Sequence, residues 1–369
     1  MKPITLGLAG DIMLAGELFE REIAAHGPEQ LFDSELRERL ATLDLVHADF
    51  EMCITAAPIE QAKMFHFRGG NECVQALSAA RVRHVSLANN HTLDFGAAGL
   101  QDTIAALTTG GIACSGATGR AHSAREAAVV ELKGARVGFL SAMFVPDDRA
   151  PELPLWTISP SRAIEELAAL RGNVRAARAK GSDIVVFAGH LLGDFLPDWR
   201  VAPWVRELVH EIAGSGVDVV HLHGVHHILG IEFHGRTPIL WGCGTLLDDY
   251  GDNLERISSY QRAFPDFFPP ELRVVEVRGQ AKATIDHPNY RNGIGLVAKV
   301  TLDPSGKVSP ALELWPVMRQ ALRASSASAE AASWAASTLA RTSPALAIEL
   351  TKNETGAAII SARAQRARA

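Results

Sequence analysis

The chain has 369 residues, 47% of them hydrophobic and 21% charged, and a formal charge of −6. That mild acidity argues against a nucleic-acid partner, which clustered Lys and Arg would mark, and no window holds the roughly 20 apolar residues that span a bilayer. Cys53, Cys73, Cys114 and Cys243 stand far apart with no CxxC pair and read as reduced thiols. The first strand-like run opens almost at Met1 and leaves no room for a cleaved signal, so a cytoplasmic protein is expected.

In chain order, apolar runs at residues 4–9, 82–88, 136–142, 184–188, 217–221 and 238–241 read as buried strands. Amphipathic helices lie between them. One covers 161–179, with Ser159 or Ser161 as cap and Ile164, Leu167, Leu170 and Val174 at helical spacing before Gly181 stops it. Another covers 201–213 and ends at Gly214 and Gly216. Such alternation implies layered α/β architecture. Strands at 129–131, 136–142, 272–277 and 295–301 follow one another with less helix, which predicts mixed sheets. Residues 1–320 form the catalytic domain in this reading. From about 321 the chain turns Ala/Ser-rich with Pro344 as the strong breaker, so 321–369 is expected to be a helical appendage. Alanine buries little area per residue, and the appendage is expected to pack on the main domain or on a second copy in a homo-oligomer.

The polar residues sit at the ends of these runs. Gly10-Asp11, Glu51, Asn89-Asn90-His91, Gly189-His190 and His221, His223, His226 and His227 each follow an apolar stretch. In open α/β sheets the carboxyl ends of strands converge on the ligand crevice, and acid, amide and imidazole groups together suit a divalent metal. Singly each is ordinary: Gly-Asp is usually a turn, Asn-Asn-His a helix cap, and a lone His core packing. Four of the chain's 14 histidines within residues 221–227 are not ordinary, and such clusters are commonly metal sites or pH sensors. His66, in the irregular stretch Phe65-His66-Phe67-Arg68, is a further catalytic candidate. Arg68, Asp94 and His227 are the expected substrate contacts.

These residues resemble the CapA family of poly-γ-glutamate capsule-synthesis proteins, a branch of the calcineurin-like metallophosphatases. The likeness is carried by Gly10-Asp11-Ile12-Met13, Ala48-Asp49-Phe50-Glu51, the block from Leu87 to Gly96, His190, the run 221–232 and Gly242-Cys243-Gly244 with Asp248-Asp249-Tyr250. It implies a four-layer α/β/β/α sandwich with mixed sheets. One or two divalent ions (Mn, Zn, Fe or Ca) would be held by Asp11, Glu51, Asn90, His190 and two later histidines, His223 and His226 first and His221 next. His91 would stand beside the metal as acid/base, with Asp11 as the central anionic group. The first motif is Asp11-Ile12-Met13 where the superfamily has Asp-x-His, so one imidazole is missing, and Leu191-Leu192 replaces Trp-Gly.

A metal so bound can polarise a carbonyl, and the CapA branch is associated with amide-linked glutamate chains. The sequence-based expectation is a peptide substrate and a peptide epimerase, since CapA-like proteins have been recruited to ribosomal-peptide tailoring. The alternatives are an amide or phosphoester hydrolase of the CapA type and a non-catalytic scaffold.

Overall fold

The computed structural model describes residues 3–59, 62–119, 123–146, 154–192, 201–249, 293–302, 308–309 and 311–364, with short backbone stretches between 258 and 291. Tyr250 and residues 272–273 lie outside the described residues. In chain order the strands are β1 (Ile4–Ile12), β2 (Leu45–Phe50), β3 (Cys53–Ile54), β4 (Arg68–Gly69), β5 (Val82–Ser86), β6 (Ala113–Ser115), β7 (Ala128–Leu132), β8 (Ala135–Phe144) and β9 (Thr157–Ile158). Then come β10 (Ile184–Leu191), β11 (Val219–His223), β12 (Ile231–His234), β13 (Thr237–Leu240) and β14 (Thr245–Leu247). Two small hairpins follow, β15 (Val274–Val277) with β16 (Gln280–Ala283) and β17 (Asp286–His287) with β18 (Tyr290–Arg291). The last strands are β19 (Ile294–Leu302), β20 (Ala311–Gln320), β21 (Arg323–Ser326), β22 (Leu346–Lys352) and β23 (Ala358–Ala364). The α-helices are α1 (Glu17–His26), α2 (Ser34–Ala41), α3 (Glu72–Ala79), α4 (Gly96–Thr109), α5 (Ala163–Ala179), α6 (Pro203–Ala213) and α7 (Ala329–Thr342).

Period-two alternation sorts the strand side chains into layers. On β2, Val46, Ala48 and Phe50 pack with Phe19, Leu36, Leu77 and Leu100 of α1 to α4. On β10 and β11, Val185, Phe187, Val220 and Leu222 pack with Leu170, Val174, Val209 and Ile212 of α5 and α6. The opposite faces meet each other: Leu6, Leu8, Leu45 and Val300 of one sheet share a core with Val137, Phe139, Val186 and Val219 of the other. The chain forms the expected four-layer α/β/β/α sandwich.

Both sheets are mixed, as expected. The ten-stranded sheet runs β22-β23-β20-β19-β1-β2-β5-β6, with β14 beside β1 and β21 beside β20. Its β1, β2, β5 and β6 are mutually parallel, while β19 is antiparallel to β1. The seven-stranded sheet runs β12-β13-β11-β10-β8-β7, parallel from β8 to β13. Parallel strands bring their carboxyl ends to one rim, which assembles the site.

Two boundaries differ from the sequence reading. β1 continues through Asp11 because Asp11 pairs with both Asp49 and Thr245, and β10 continues through His190 because it pairs with Met143 and His223. The segment after 321 is not a helical appendage. It contributes α7, but Leu346, Ile348 and Leu350 alternate along β22, and Ala358, Ile360 and Ala362 along β23. The pair therefore extends the first sheet by pairing with β20. The small side chains of Ala331, Ala332 and Ala335 seat α7 against this sheet.

Candidate metal centre

Three strands place polar side chains on the inner face where apolar ones begin. β2 reads Leu45, His47, Asp49 in steps of two; β10 reads Ile184, Val186, Ala188, His190; β11 reads Val219, His221, His223. Each row passes from apolar to polar toward the carboxyl rim, and Asp49, His190 and His223 meet there. His190 Nδ1 lies 3.1 Å from Asp49 Oδ2 and 3.3 Å from His223 Nδ1, and His223 Nδ1 is 3.3 Å from the same carboxylate oxygen. An ion with bonds of 2.0–2.1 Å places tetrahedral donors about 3.4 Å apart, so these three atoms already stand at ligand spacing. All three side chains are fully buried.

A second cluster adjoins the first, made of Asp11, Glu51 and His226. His226 Nδ1 lies 2.9 Å from Asp11 Oδ2 and 3.7 Å from Glu51 Oε2. Close backbone crossings put these groups in place. A Cβ on Gly10 would collide with the Gly244 carbonyl, and that carbonyl accepts the Asp11 N–H at 3.1 Å. Gly224, at φ +90, donates its N–H to Asp11 Oδ1 at 2.9 Å, and a Cβ there would strike the His190 ring. His226 itself takes φ +60, a strained conformation for a non-glycine residue that functional sites tend to retain.

The donor chemistry fits divalent cations. Asp11 and Asp49 are fully buried, and neither pairs with a lysine or arginine among the described residues. Buried carboxylates need compensating positive charge. Burial would raise the Asp49 carboxyl, but His223 and His190 outweigh it and hold the group below the usual carboxylate range. The Oδ1 of Asn90 is buried with no hydrogen-bond partner among the described residues.

His91 stands beside Glu51, its Nε2 3.9 Å from Oε1, and its Nδ1 is 2.8 Å from Asp94 Oδ2. Asp94 also accepts the Phe67 N–H at 2.8 Å, so its carboxylate supports His91 from within the core, where the sequence suggested a substrate contact. His221, in contrast, sits one step deeper than His223 and packs edge-on against His47 at 5.3 Å between ring centroids, outside both donor clusters. His227 is buried and also outside them, its carbonyl accepting from Gly244. His66 lies edge-on to Phe95, and Arg68 is exposed with its guanidinium 5.0 Å from the centre of that ring. Asp248 forms a buried ion pair with Arg319.

Sequence reasoning missed Asp49 and Asn89. Asn89 Nδ2 donates to Asp49 Oδ1 at 3.1 Å and to the Phe50 carbonyl at 3.0 Å, while its Oδ1 accepts the His91 N–H at 3.1 Å. It ties the β2 end to His91. Counting by twos from His47 finds Asp49.

The model of the bacterial capsule synthesis proteins (PGA_cap) matches residues 5–250, which span every group of both clusters. The chain belongs to this family. A probable polyglutamine synthesis accessory protein of Mycobacterium tuberculosis is 32% identical over 222 residues, covering 58% of this chain and 57% of its own. The capsule biosynthesis protein CapA of Bacillus anthracis is 23% identical over 256 residues, 67% of this chain and 60% of its own. The chain thus spans less than two thirds of either relative. A crystal structure of a hypothetical protein from Thermus thermophilus aligns with TM-score 0.47 and 17% identity over 86% of this chain and all of that one. None of the described helices is long and apolar enough to cross a membrane.

Proposed function

We propose that this family member is a metal-dependent hydrolase of amide-linked glutamate chains, working in polymer or capsule synthesis. The observation that carries the reading is the pair of buried donor clusters to which the end of β2 contributes Asp49 and Glu51, with His91 held beside Glu51. Asp49, His190 and His223 would hold one ion and Asp11, Glu51 and His226 a second. Bound there, the ions would supply Lewis acidity to a substrate carbonyl. Water would add to the carbonyl carbon and give up a proton as the C–N bond breaks, and His91 Nε2 would deliver a proton to the departing amide nitrogen, with Asp94 keeping the imidazole oriented. The glutamate-chain substrate rests on the resemblance to the CapA branch; the names of the relatives speak of polyglutamine and capsule synthesis.

Epimerisation, the expectation from sequence, draws no support from those relatives. Both reactions are read together by incubating the protein with α- and γ-linked glutamate oligomers in deuterated water. Mass spectrometry of the products should show shortened chains that vanish with a chelator and return with Mn²⁺ or Zn²⁺. Intact oligomers under every metal would overturn the hydrolase reading, and single-deuteron gain without cleavage would restore Cα exchange.

A further inference from the structure

Lys63 belongs to none of the motifs above, yet it reaches into the support of His91. Its Nζ pairs with Asp94 Oδ1, donates to the Asn90 carbonyl at 2.8 Å and lies 3.1 Å from His91 Nδ1. Asp94 is fully buried and the Lys63 side chain 23% exposed, so the ammonium spans from the surface to a carboxylate that water does not reach. Three neighbours already fix the rest of His91. Its N–H is held by Asn89 Oδ1 at 3.1 Å, its ring lies 4.1 Å from that of Phe67, and Asp94 Oδ2 meets Nδ1 at 2.8 Å. Asp94 Oδ2 also accepts the Phe67 N–H at 2.8 Å, and Lys63 pairs with the other oxygen of the same carboxylate.

We infer that Lys63 is a positioning residue: its ammonium, locked on Asp94 and the Asn90 carbonyl, fixes the His91 imidazole with Nε2 turned toward Glu51. Chemistry dictates the division of contacts at Nδ1. An ammonium only donates and the ring nitrogen has one in-plane site, so Nδ1 bonds either to Asp94 or to Lys63. The two partners hold the ring in place in either tautomer. Lys63 also fastens residues 62–67 to the strand-end loop that carries Asn90 and His91. A buried carboxylate that loses its cation is destabilised, and the Phe67 N–H and the His91 imidazole, both 2.8 Å from Oδ2, would be left to hold Asp94.

This inference rests on His91 being the proton-handling group of the proposed hydrolase, so its test needs a readout independent of turnover. The zinc-loaded protein and the variants Lys63→Met and Lys63→Arg would be compared by long-range ¹H–¹⁵N correlation of the imidazoles, metal analysis and oligomer cleavage. Lys63→Met should keep its metal, shift the His91 nitrogen signals, and lower kcat by about tenfold or more with KM little changed, as loss of orientation does. Lys63→Arg should recover most of both signals. If Lys63→Met does not fold, Lys63→Gln replaces it in the same comparison. His91 signals and kcat unchanged in the neutral variants would overturn the role. A wild type without cleavage would fail the hydrolase reading instead, and the imidazole signals alone would then decide for or against Lys63.

Discussion

Side chains facing the gap between the sheets step along their strands by two residues, about 6.6 Å per step. Asp49 and His223 therefore stand level at the rim, while His47 and His221 stand one step below and meet each other instead. The difference between the proposed ligand His223 and the core histidine His221 is depth, because the two positions share residue type and face. Replacing His223 by Phe should strip one of the two proposed ions, whereas His221→Phe should leave metal content unchanged. Asp49→Ala should weaken binding by more than the roughly 10–100-fold typical of losing a ligand's supporting partner. Inductively coupled plasma analysis of the three dialysed variants decides this. Equal depletion in His221→Phe and His223→Phe would show that depth along β11 does not choose the ligand.

Where an element ends and what it crosses matters as much as its residues. β1 and β14 approach so closely that only hydrogens fit at Gly10, and the same crossing presents the Gly244 carbonyl to the Asp11 N–H. Gly10→Ala should push the strands apart, costing about 1–3 kcal/mol as overpacking does, and should release metal by displacing Asp11. Urea unfolding with metal analysis reads both, and a variant of native stability would mean that the crossing is looser than described. Much of this layer was legible in the sequence: β5, β8, β10 and β13 overlap the apolar runs at 82–88, 136–142, 184–188 and 238–241, and the polar residues after the first and third mark the rim. Asp49 was hidden because it lies inside the run that ends at Phe50, and a pattern of strand followed by polar residue passes over it. β22 and β23 were hidden for another reason. Their alternation sets Leu, Ile and Ala against Ala, Glu, Thr, Ser and Arg, and the Ala/Ser-rich composition of the region suggested helix before period suggested strand.

Across the whole molecule, among the described residues, His47, His84 and His221 lie buried between the sheets and apart from the donor clusters. His47 Nδ1 lies 2.9 Å from His84 Nδ1, and His84 stacks on Phe139. Burial pushes His47 down to about 3, with the nearby charge of His223 adding to the effect and Asp49 opposing it. Burial also holds His84 and His221 well below the ordinary imidazole range, aided in each case by His47. Folded protein thus refuses protons that the unfolded chain takes up below its ordinary pKa of about 6.5. The stability these groups contribute is complete above that pH and is lost as pH falls from there toward about 3 for His47. Asp49, depressed by its histidines, acts in the same direction but only at lower pH, below the unfolded carboxylate value. Each proton taken up on unfolding contributes about 1.4 kcal/mol per pH unit. In chelator, where metal binding adds nothing, unfolding free energy should be nearly flat above pH 7 and fall steeply below pH 6. The double variant His47→Leu/His84→Leu removes both members of the bonded pair, so no half-bonded partner remains. Its slope between pH 5.5 and 4.5 should be shallower than wild type by about 2.8 kcal/mol per unit, two protons' worth. Urea denaturation at four pH values across this range measures both slopes. Parallel slopes for the two proteins would mean that His47 and His84 titrate in the folded state as they do in water, and that the space between the sheets is not as dry as its burial implies.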